Sequence, residues 1–190
     1  MGIVMIMRIV LIVWMAHTIA YGSATRQKLT ACLRVKVVER RLISPRAQEL
    51  AARMFAGVGI SLEWRACEPA GESSQAPIVV ELASGTPQDL KSGVLGYAMV
   101  HQGRRVTVFL DRIETMERPE PVLAHVIVHE ITHIVQGVCR HSDTGVMKAH
   151  WTVRDLVEMP FKPLLFTQED LMLLYRGLGR DVTSAPLVER

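Results

Sequence analysis

No block of basic residues runs through this chain. Its 22 Lys+Arg and 19 Asp+Glu are scattered over 190 residues, for a net charge of +3. The charge pattern that follows a phosphate backbone is missing, so nucleic acid is not expected as a partner. Neither a G-x-S-x-G turn nor a Gly-rich phosphate loop occurs, which removes the serine nucleophile elbow and the nucleotide cradle. Internal repeats and low-complexity segments are absent as well. What is present is ordinary for a folded domain: 49% apolar and 22% charged residues, in a length that suits one hydrophobic core and not two.

The longest apolar stretch stands at the start. Ile9 to Ala16 is an unbroken apolar run preceded by Arg8 and followed by small and polar residues ending Gly22-Ser23-Ala24. A charged start, a short apolar centre and a small-x-small exit describe a secretory signal peptide over residues 1–24. A membrane span needs roughly 20 apolar residues, and an uncleaved N-terminal anchor is the alternative. Met7-Arg8 makes a more ordinary start than Met1. Residues 25–190 are then the mature single domain, with 21 basic against 19 acidic residues once Arg8 is gone. Export places the mature chain outside the cytoplasm, secreted or otherwise extracytoplasmic.

Export also makes the cysteines readable. Cys32, Cys67 and Cys139 are an odd set, which in an oxidising compartment suggests one disulfide and one leftover thiol. Cys32 and Cys67 fall at the ends of two predicted strands and are placed to staple them, leaving Cys139. Three unpaired, buried thiols are the other reading.

Periodicity orders the rest. Leu33 to Val38 alternates as a strand. Ser44-Pro45 opens a helix whose apolar positions run from Ala47 to Val58. Ile60–Trp64 and Ile78–Leu82 are strands, separated by a Gly/Ser/Pro-rich loop over 68–75. Val94–Val100 and Arg105–Leu110 form a hairpin around His101-Gln102-Gly103-Arg104. Pro119 to about Gln136 is almost uniformly apolar, which predicts a buried helix. Thr167 caps a last helix reaching about Arg176. The order predicts a single α+β domain.

The chemistry lies in the buried helix, at His129-Glu130-Ile131-Thr132-His133. Two His four positions apart on a helix differ by about 40° around the axis and about 6 Å along it, so both imidazoles reach one ion. Glu130 points into the neighbouring sector, where it can hold a water and take its proton. Two His and a Glu on an otherwise apolar helix are costly to bury unless paired or ligated. A third ligand has to come from chain that turns back after the helix, and Gly137 supplies the exit. Beyond it stand Cys139, His141, His150 and, further on, Asp155 and Glu158.

With His129-Glu130-x-x-His133, Gly137, His141 and Met147, the chain resembles the metzincin clan of zinc peptidases. Ser142 after the third His, and the small residue two before Met147, are most similar to its matrixin branch. The resemblance implies an α+β zincin fold across 33–179, a mixed twisted sheet with an active-site helix and a C-terminal helix. It implies one catalytic zinc ion held by His129, His133 and His141, Glu130 as general base, and Met147 in a turn beneath the metal. It also implies that Leu95, Gly96, Tyr97 and Ala98 form the edge that binds an extended peptide. The motif is lengthened relative to the clan, in which Gly and the third ligand fall three and six residues after the second His. Here they fall four and eight after it, and Cys139 occupies the usual ligand spacing. His141 is favoured over Cys139, because a thiolate donates more charge and blunts the Lewis acidity of a catalytic zinc. An oxidisable thiol is also a poor permanent ligand outside the cell.

Other residues read more plainly. His125 lies about 12 Å along the axis from His133, too far to share its ion, and reads as a packed residue. Trp151 packs under the site or, with His150, walls the substrate pocket. Glu158 is the ligand position of the other large zincin group, but Met159-Pro160-Phe161-Lys162-Pro163 does not read as helix. The expected function is an exported zinc-dependent endopeptidase in which a zinc-bound water attacks the peptide bond of a peptide or protein substrate. The alternative is a secreted zinc-binding protein of the same fold with little or no catalysis. A monomer is expected, with membrane contact only if residues 1–24 are retained. The short stretch between Ala24 and the first strand leaves no room for a long propeptide.

Overall fold

The computed structural model describes residues 27–35, 44–67 and 76–179. The proposed signal segment, Lys36–Val38 of the first predicted strand and the 68–75 loop lie outside them. The elements are β1 (Gln27–Val35), α1 (Ser44–Ala56), β2 (Ile60–Arg65), β3 (Ile78–Ala83), β4 (Gly96–Ala98) and β5 (Arg105–Phe109). They are followed by α2 (Leu110–Ile113), α3 (Pro119–Gln136), α4 (Val153–Glu158) and α5 (Gln168–Gly177).

The five strands make one mixed sheet in the order β2-β1-β3-β5-β4. β1, β2, β3 and β5 are parallel neighbours, while β4 runs antiparallel to β5 and forms an edge. In β3 the alternate residues Ile78, Val80 and Leu82 are buried, and in β5 Val106 and Val108 are, the period-2 pattern of a sheet with one face on the core. α1 and α3 pack together and share that core with the strands. The predicted mixed-sheet α+β architecture is therefore the observed one.

β1 begins six residues before the strand expected from Leu33. Its core contacts come from Leu29 and Ala31, on a stretch whose polar opening, Gln27-Lys28, hides the alternation. Cys32 thus sits inside β1, opposite Arg65 of β2, and Cys67 follows two residues later. The two are disulfide-bonded, and Cys139 is free and exposed.

Helix α3 follows its expected bounds. Pro119 and Pro121 sit in its first turn, where a missing N–H costs nothing. Every residue from Val122 to Val135 is buried. Gly137 closes the helix with φ 69°, donating to the His133 carbonyl, a left-handed conformation that a side chain would strain. α5 carries the expected Thr167 cap. The short helices α2 and α4 were not anticipated. No helix among the described residues is long and apolar enough to cross a membrane.

Candidate metal centre

Because α3 is rigid and buried, it delivers His129 and His133 to one place. Each ring is oriented from behind: His129 Nδ1 donates to the Val146 carbonyl at 2.9 Å and His133 Nδ1 to the Val138 carbonyl at 2.9 Å. A carbonyl only accepts, so the proton of each neutral ring is on Nδ1 and the lone pair on Nε2. The two Nε2 atoms stand 3.0 Å apart. Two lone pairs at that distance repel unless a cation lies between them.

The chain after Gly137 brings the third ring. Ser142 N donates to Met147 O at 2.9 Å, and Val146 N donates to Leu165 O at 2.9 Å. That turn carries Val146 back beneath α3, which is how its carbonyl reaches His129. His141 ends up 5.2 Å from the His129 ring and 4.9 Å from the His133 ring, centroid to centroid. One ligand atom from each of the three His lies within 4.8 Å of the others, and Cys139 is not in this group. Three neutral imidazoles on one side of a shared space fit a zinc ion with an open fourth position. Met147 is fully buried in the core.

Burial sets the protonation of these groups. It pushes His129 down to about 3, with His133 and His141 adding to the effect and the Val146 carbonyl opposing it. His133 and His141 are lowered as well, again chiefly by burial. Glu130, 7% exposed, is pushed up to about 8 by desolvation. The imidazoles therefore stay neutral, as ligands must be, and a cation held beside Glu130 would favour its charged form and oppose the push of burial.

Beside the His cluster lies a cleft of about 430 Å³, onto which His129, Glu130 and His141 open. Leu95, Met116, Val126, Trp151 and Leu156 supply its apolar lining. Of the four residues expected to bind peptide, Leu95 and Gly96 line this cleft. Tyr97 instead packs on Phe109 at 5.9 Å, and Ala98 is half-buried at the far end of β4. At Gly96 a Cβ would come within 2.8 Å of the Thr107 carbonyl of β5 and 3.0 Å of Val126 on α3, so glycine lets the edge strand sit tightly against both.

The remaining residues separate cleanly. His125 donates from Nδ1 to Pro121 O at 2.6 Å and accepts from Leu164 N at Nε2, 3.0 Å away. Both nitrogens are used, as expected of a packed residue. Trp151 stands edge-on to His125 and His129, and with His150 it also lines the cleft. Glu158 does end a helical turn, but its carboxylate pairs with Arg154 at 2.8 Å, away from the His cluster.

Asp170 was missed. It is fully buried, and its Oδ1 accepts from Ser142 Oγ at 2.5 Å and Arg140 Nη1 at 3.0 Å. Its Oδ2 accepts from Thr167 N at 2.9 Å and Thr167 Oγ1 at 2.7 Å. Both residues flanking His141 are thus fastened to the first turn of α5. The Thr167-x-x-Asp170 capping box was the available signal.

No protein-family model matches the sequence, and no curated protein does. Solved structures do match. One is the crystal structure of archaemetzincin from Methanopyrus kandleri, with a TM-score of 0.54 and 18% identity. The match covers 80% of this chain and 97% of that one. At that identity the likeness is one of fold, and the fold is zincin-like.

Proposed function

We propose that the chain is a zinc-dependent endopeptidase. The observation that carries this reading is the facing pair of Nε2 atoms, 3.0 Å apart with both ring protons committed to carbonyls, an arrangement that calls for a cation. His129, His133 and His141 hold the ion, and His141 rather than Cys139 is the third ligand. Met147 forms the turn under the site, in the matrixin-like manner its sequence context implies. When bound, zinc supplies a Lewis acid that polarises the scissile carbonyl and lowers the pKa of water.

The chain's own residues do the rest. Glu130 accepts a proton from the attacking water and passes it to the leaving amine. The β4 edge orients an extended peptide by backbone hydrogen bonds, and a neighbouring side chain of the peptide enters the apolar cleft. The 25–190 segment acts as one domain, monomeric and outside the cytoplasm, after loss of residues 1–24. The Cys32–Cys67 disulfide supports export, since such bonds persist in oxidising compartments. Metal analysis of the purified protein, with peptide-library cleavage with and without chelator, tests the reading. One zinc per chain and chelator-sensitive cleavage are expected; a metal-free protein, or cleavage indifferent to chelator, overturns it.

A further inference from the structure

One side of the cleft is lined by the end of a stretch without regular structure. Between β3 and β4 the chain passes through residues 84–95, and its last members, Gly93, Val94 and Leu95, line the cleft. Its last residue is tied to β5, Phe109 N donating to Leu95 O at 2.8 Å; before that, Leu90 N reaches Pro87 O at 3.2 Å and Val94 N reaches Lys91 O at 3.4 Å, both at the long end for such bonds. A segment held only so would have many conformations open to it.

The short helix α2 closes that gap. Asp111 fastens the start of the stretch, accepting from Thr86 N and Thr86 Oγ1, each at 3.0 Å. Arg112 fastens its end. Nη1 donates to Val94 O at 2.5 Å and Lys91 O at 2.9 Å, and Nη2 to Leu90 O at 3.4 Å. The guanidinium is half-buried and lies 6.0 Å from the Phe109 ring centroid. One planar fork therefore gathers three carbonyls of the rim, a task for which five fixed donors suit arginine and a rotating ammonium does not suit lysine.

We infer that Arg112 is a positioning residue for substrate: by gathering the carbonyls of Leu90, Lys91 and Val94 it fixes the rim of the cleft, and with it the entry to the β4 edge. This rests on the reading of the cleft as the peptide site. Arg112 lies outside the His cluster and touches neither a ligand nor Glu130 in any hydrogen bond or ion pair of the structure. Its loss therefore acts on peptide binding and spares the metal and the proton transfers.

The test uses the zinc-loaded protein, a fluorogenic peptide taken from the library screen, and hydrogen exchange of the backbone amides of 88–95. Arg112→Lys guards against misfolding in Arg112→Ala. Both variants are expected to keep zinc and to hold kcat within about twofold, while KM rises roughly tenfold in Arg112→Ala and less in Arg112→Lys. Amides of 88–95 exchange faster in both, with the rest of the chain unchanged. Unchanged exchange in Arg112→Ala overturns the inference, whether or not the protein cleaves peptide. So does an unchanged KM, or a fall of kcat in step with zinc content. A wild-type protein that cleaves no peptide sinks the peptidase reading instead, and the exchange arm still decides the fastening of the rim.

Discussion

Ser142 Oγ donates to Asp170 Oδ1 at 2.5 Å, joining the residue that follows His141 to a helix 28 positions further along the chain. Arg140, on the other side of His141, meets the same oxygen at 3.0 Å. The loop that carries His141, the proposed third ligand, is thereby held on both sides of that residue by one buried carboxylate.

Removing that anchor should be felt at the metal. Asp170→Asn and Ser142→Ala leave all three His in place but weaken the hold on His141. Zinc affinity is expected to fall by roughly 10- to 100-fold, the usual effect of losing a partner that orients a ligand. Competition with a chelating dye measures it. Wild-type affinity in both variants would show that the loop is positioned by something else.

The third ligand is decided by a pair of single variants. His141→Ala should lose far more zinc affinity than Asp170→Asn, because two ligands on one helix cannot close a tetrahedral site. Cys139→Ser should keep the metal and most activity, since the thiol is exposed and outside the His group. The reverse pattern in a zinc titration would hand the position to the thiolate.

His125 predicts a pH dependence of stability. Burial lowers its pKa to about 4 in the folded chain, against about 6.5 in an unfolded one. Between those values the unfolded chain binds more protons, so stability rises with pH across the window. It is complete above about 6.5 and lost as pH falls toward 4. The loss at pH 4.5 is about 2–3 kcal/mol. His125→Gln keeps a donor for the Pro121 carbonyl and an acceptor for Leu164 N but does not titrate. Urea denaturation at pH 7 and pH 4.5 should show a smaller drop in the variant, and equal drops would remove His125 from the account.

Long, strongly patterned elements were legible and long-range polar contacts were not. α3 is readable because fourteen successive positions are buried between a Pro-rich start and Gly137, and its His spacing alone points to the cluster. α4 was overlooked although Thr152 and Asp155 form the same capping box that marks α5. Its six residues bury none of their side chains, so no apolar period announces it. The hold of Arg112 on the 84–95 stretch leaves no trace in the sequence, since its acceptors are backbone carbonyls that any residue provides. Asp170 acts across 28 positions, beyond the reach of local pattern.

The most direct measurement is zinc content and peptide turnover of Glu130→Ala beside the wild-type protein. Glu130 is not a ligand in this account, so the variant should carry one zinc per chain while turnover falls by about 10²- to 10⁴-fold. Retained zinc with wild-type-like turnover would contradict the account, because the proton acceptor at the centre of the mechanism would then be dispensable.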